Sequence, residues 1–120
     1  MNSIEYIKKN IDILVNKYSD IKCRYEADTL SGSHYLEISS SNGGKNELLL
    51  NSEIELLSNF ISIFPYETLT FLQKDDLFTI TSPTYIKEGI DFDEARVNVP
   101  SYRLNNVLST TANIIKSVGL

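Results

Sequence analysis

IKCRYEADTLSGSHYLEI, residues 21–38, decides the fold. Ile21, Cys23, Tyr25 and Ala27 alternate with Lys22, Arg24, Glu26 and Asp28, a period of two that puts one set of side chains inward and the other outward on a strand. Residues 29–33 interrupt the alternation, and Gly32 is free to take the positive φ of a tight turn. The alternation then resumes, with His34, Leu36 and Ile38 opposing Tyr35 and Glu37. Two such runs joined by a short turn predict an antiparallel hairpin.

On the amino side, Ile4, Ile7, Ile11, Leu14 and Tyr18 recur at spacings of three and four, the mark of one helical face. Asn2 can cap that helix, and Glu5 stands in its first turn where the helix dipole favours negative charge. On the carboxyl side, SSSNGGK at residues 39–45 reads as a loop, and Leu48, Leu49 and Leu50 as a third short strand. Ser52 with Glu55 fits a capping box, which predicts a helix starting there with Ile54, Leu57, Ile61 and Phe64 on its inner face, Phe60 close by, and Pro65 as its stop. Residues 68–73 then read as a strand, Lys74, Asp75 and Asp76 as a turn, and residues 77–81 as the returning strand of a second hairpin. Residues 82–100 show no period and read mostly as loop, with residues 95–99 as an optional strand. Ser101 can cap a last helix whose buried face is marked by Leu104, Val107, Leu108, Ala112, Ile115 and Val118.

The order is thus α-β-β-(β)-α-β-β-(β)-α over a single α+β domain, residues 1–120. Three helices against one face of an antiparallel sheet of four to six strands make a two-layer domain. The other face is expected to be freer and available to a partner.

Composition narrows the functional classes. The chain has 120 residues, 42% hydrophobic and 22% charged, which is ordinary for a globular domain able to bury its own core. No apolar run approaches the roughly 20 residues that span a bilayer, and the first residues lack the apolar segment of a signal peptide. Cys23 is the only cysteine, so no internal disulfide can form, and a reducing, cytoplasmic location is expected. Sixteen acidic against eleven basic residues give a net charge of −5, which repels nucleic acid; such acidity is a routine device for solubility, and it would also speed association with a basic partner.

Few residues can carry chemistry. His34 is the one imidazole, and with Cys23 on the adjacent strand it offers an activated-thiolate dyad as the enzymatic alternative. The plainer readings are a packed histidine and a small buried thiol. Glu88, Asp91, Asp93 and Glu94 supply hard oxygen atoms but lack the spacing of a calcium loop, so no metal is expected. Phosphate-binding and dinucleotide-binding glycine motifs are missing too, so no cofactor is expected and the chain is read as a non-enzyme.

In size, acidity and α+β make-up the chain resembles the bacterial immunity proteins. The resemblance implies an inhibitor that neutralises a cognate toxin domain, for instance a basic nuclease, by covering its active surface. The contact residues expected are Glu88, Asp91, Asp93 and Glu94, followed by Asp75 and Asp76. The order of elements also resembles the small acidic type III secretion chaperones, which implies a homodimer that wraps an extended effector segment. An inhibitor can be a monomer, so the oligomeric state separates the two readings.

Overall fold

The structure, a computed structural model, describes residues 1–41, 47–73 and 79–97. The chain falls into two units: residues 1–40 with 44–92, and residues 41–43 with 93–120. In the larger unit the order is α1 (Ser3–Lys17), β1 (Ile21–Asp28), β2 (Ser33–Ser40), α2 (Glu47–Ile63), β3 (Thr68–Leu72) and β4 (Tyr85–Glu88). In the smaller unit one helical turn, α3 (Glu94–Val97), is described. The architecture is α+β, with helices packed on a four-stranded sheet of order β3-β2-β1-β4.

The expected hairpin forms over its full length, with Ile21 opposite Ser40 and Asp28 opposite Ser33. Its turn is built as the sequence suggests: Gly32 has φ of 73°, and the Asp28 side chain accepts from the Leu30 N–H at 3.1 Å. The expected first helix also forms. The Asn2 side chain accepts from the Glu5 N–H at 2.8 Å, and Ile7, Ile11, Leu14 and Val15 are buried.

One core lies between the sheet and its helices. It joins Ile7, Ile11, Leu14 and Val15 of α1 and Leu49, Leu56 and Phe60 of α2 to Ile21, Cys23, Tyr25, Leu36, Ile38 and Leu69 of the strands. Each fully buried aliphatic there contributes roughly 1.5–3 kcal/mol relative to leaving it in water.

Several expectations need correction. Leu48, Leu49 and Leu50 are not a strand; α2 begins at Glu47, so Ser52 and Glu55 lie inside the helix and form no capping box. A short leucine run suits either structure, and starting the helix earlier lets Leu49 join the core. The buried seam of α2 is consequently Leu49, Glu53, Leu56 and Phe60, one residue or about 100° round from the expected face. Ile54 and Ile61 are exposed, while Leu57 and Phe64 are partly buried.

The sheet is mixed rather than antiparallel, because β3 runs parallel to β2, with His34 opposite Leu69 and Leu36 opposite Phe71. A parallel neighbour needs a long crossover, and α2 supplies it. Of the expected second hairpin's returning strand, residues 79–81 are not strand, and residues 74–78 lie outside the described set. Residues 85–88, expected as loop, form β4, antiparallel to β1 on the opposite edge from β3. The optional strand at 95–99 is replaced by α3, as far as residue 97. The loop at 42–45 and the last helix at 101–118 lie outside the described residues.

The face of the sheet away from the helices is partly covered. Ile80 is buried there, its carbonyl accepting from the Arg24 guanidinium at 2.9 Å, and Arg24 also pairs with the Glu37 carboxylate at 3.1 Å. Further on, the Ser82 N–H donates to Glu26 at 3.3 Å and the Thr84 N–H to the Tyr25 carbonyl at 2.7 Å. The chain therefore passes across the second face on its way to β4. No described helix is long and apolar enough to cross a membrane.

Candidate functional site

His34 is 2% exposed and uses both ring nitrogens. Nδ1 meets the Tyr25 hydroxyl at 2.7 Å, and Nε2 meets Oε1 of Glu67 at 2.7 Å. A carboxylate only accepts, so Nε2 carries the hydrogen of that bond. The Tyr25 phenol is held protonated, its pKa pushed up first by burial and then by the charge of Glu67, so its hydroxyl donates to Nδ1. The Ser3 hydroxyl donates to the same oxygen of Glu67 at 2.7 Å. The line Tyr25–His34–Glu67–Ser3 thus ties β1, β2, the turn before β3 and the start of α1 together.

Ser, His and Glu in contact invite comparison with a catalytic triad, and the arrangement rules that out. In a triad the imidazole must face the nucleophile, with the carboxylate behind it. Here serine and histidine both bond the carboxylate, and tyrosine takes the other ring nitrogen. The Cys23 dyad is not assembled either. The register sets His34 opposite Ala27 and Cys23 opposite Ile38. Four residues, about 13 Å of strand, separate the two positions.

The network carries a pH signature. Glu67 titrates below the usual carboxylate range, chiefly through the His34 hydrogen bond and next through Ser3. A carboxyl depressed in the folded chain stabilises it above the ordinary range, and that contribution is lost as pH falls through the depressed value. Urea unfolding followed from neutral to acid pH should show stability falling on the acid side. Glu67→Gln should lower stability at neutral pH and flatten part of that acid decline.

Of the acidic residues singled out from the sequence, Glu88 and Asp91 belong to the larger unit and Asp93 and Glu94 to the smaller one. Glu88 ends β4 opposite Lys22, and both Glu88 and Asp91 are exposed. Asp91 is held by the Ser19 hydroxyl at 2.7 Å and by its own N–H on the Ser19 carbonyl at 2.9 Å. In the smaller unit, the Asp93 carboxylate accepts from the Ala95 N–H at 3.1 Å and Glu94 opens α3. Asp75 and Asp76 lie outside the described residues. Among the described residues no three His, Cys, Asp or Glu side chains are grouped to hold a metal.

Between Glu88 and Asp91 the structure adds a residue the sequence reading missed. Ile90 is 92% exposed, although the turn that carries it is tightly held. The Gly89 N–H donates to the Ile21 carbonyl at 2.8 Å and the Phe92 N–H to the Gly89 carbonyl at 3.1 Å. Gly89 lies so close to Ser19 that a Cβ there would overlap its carbonyl, so only glycine fits the approach. The signal was present in EGID, residues 88–91, as an apolar residue after glycine and between acids. Compared with known proteins, the chain matches no family, no curated protein and no solved structure.

Proposed function

We propose that this chain is a non-catalytic protein-binding domain, and specifically a small acidic inhibitor of the bacterial immunity type that neutralises a basic toxin domain in the cytoplasm. The observation that carries the reading is Ile90, held outward on a rigid turn with Glu88 and Asp91 beside it. An aliphatic anchor bordered by carboxylates suits an apolar socket rimmed with lysine or arginine, and a preset turn loses little entropy on docking. The net charge of −5 would speed the encounter with such a surface.

The test is binding to a basic domain encoded beside this chain, measured by titration calorimetry at low and high salt. Association should weaken as salt rises. Ile90→Asp should weaken it by about 2 kcal/mol or more, roughly 30-fold, as expected for a central anchor. Glu88→Lys should mainly slow the on-rate. Failure of binding, or binding indifferent to both changes, removes the reading.

A second reading, a type III secretion-like chaperone, is favoured by the β3 edge. Thr68–Leu72 is uncharged, and among the described residues no strand lies beyond it. An extended client segment can add to such an edge through main-chain hydrogen bonds.

A further inference from the structure

The outward flank of α2 and the β3 edge form one surface. The flank of α2 nearest α1 borders a shallow groove of about 200 Å3 between the helices, lined by Asn10, Ile13 and Lys17 from one and Ser52, Glu55 and Asn59 from the other. The opposite flank carries Leu50, Ile54 and Ile61, exposed by 48%, 57% and 53%, with Leu57 between them. These positions are spaced four, three and four apart, the spacing of a helix-pairing seam. Because α1 packs over β1 and β4 while α2 packs over β3, that seam overhangs the β3 side of the sheet.

Among the described residues the β3 edge lacks the usual protection. Solvent-facing edges are commonly guarded by lysine, proline or a bulge, and β4 carries Lys87 and Glu88. β3, TLTFL, has none of these. A chain of net charge −5 repels its own copies, so any self-contact must use ground without charge. The α2 seam and the β3 strand provide it together.

We propose that a second copy of this chain occupies this surface. A twofold axis normal to the sheet sets β3 antiparallel to its mate and continues the sheet across both subunits. The same axis brings the two α2 seams side by side on one face, as an isologous contact requires. Along the shared edge β3 spans about 17 Å and α2 about 25 Å, over a depth of about 20 Å, two layers thick. That is the order of size at which stable pairs bury roughly 800 Å2 per partner. β4 and Ile90 lie on the far edge of each subunit, so the pair is compatible with the inhibitor reading, whereas it excludes a client strand from the β3 edge.

The full chain should sediment at twice its 13.6 kDa mass. Ile54→Glu combined with Ile61→Glu alters only exposed positions, so the variant should keep its circular dichroism and sediment as a monomer. Ile90→Asp, on the other edge, should remain dimeric. A wild-type monomer at concentrations up to roughly 100 μM, weak even for a transient pair, overturns the proposal. So does a dimer that survives the double substitution. If the double variant loses its fold, Leu50→Lys alone provides the same reading.

Discussion

Replacing His34 with alanine is expected to lower the unfolding free energy by about 3 kcal/mol, read as a shifted urea midpoint at unchanged slope. The cost has separable sources. The Tyr25 hydroxyl is left in the core without its acceptor, and an unsatisfied buried group costs about 1–3 kcal/mol. The vacated ring also removes the stacked contact with Tyr25 at 5.8 Å and the edge contact with Phe60 at 5.4 Å. Adding Tyr25→Phe should not make the variant worse, because it deletes the orphaned hydroxyl. A double variant clearly less stable than His34→Ala would mean that the hydroxyl has another partner of comparable strength.

Phe60→Ala should cost about 4 kcal/mol, within the range for emptying a buried phenylalanine site. Phe60 is fully buried, with the rings of Tyr6, His34 and Phe64 around it at 6.4, 5.4 and 5.2 Å. Leucine at the same position keeps most of the volume and should cost far less. The losses at His34 and Phe60 should not add, since the two rings touch and share a cavity once either is removed. Thermal or chemical unfolding of both single variants and the double variant measures that coupling. Strict additivity would contradict the contact.

These two residues show what was legible in the sequence and what was not. His34 could be placed on an inward strand face because alternation is local and Gly32 marked the turn. Its partner Glu67 could not, since 33 residues separate them and no short-range pattern links a strand to a distant turn. Phe60 could be assigned to a helix, but α2 carries Leu and Ile on two adjacent flanks. Periodicity therefore admitted two solutions, one through Leu49 and Leu56 and another through Ile54 and Ile61, and only packing against the sheet selects the first.

Strand direction failed for a related reason. Residues 68–72 read correctly as a strand, but alternation does not reveal which neighbour a strand takes. The parallel pairing with β2 follows from the α2 crossover, a long-range fact. In the candidate site, Glu88 and Asp91 were found as charges, while the exposure of Ile90 depends on how Gly89 meets Ser19. That approach joins residues seventy apart in the chain.

The position of the first hairpin at the middle of the sheet bears on how the chain acquires its structure. A ribosome releases α1 and both inner strands before either flank, so a nucleus of helix and hairpin can assemble from contacts close in sequence. Each flank must then close a long loop, β3 by way of α2 and β4 from the far side of the sheet, and contacts so distant in sequence form slowly. Refolding is therefore expected to proceed outward from the centre, with the two margins as its late steps.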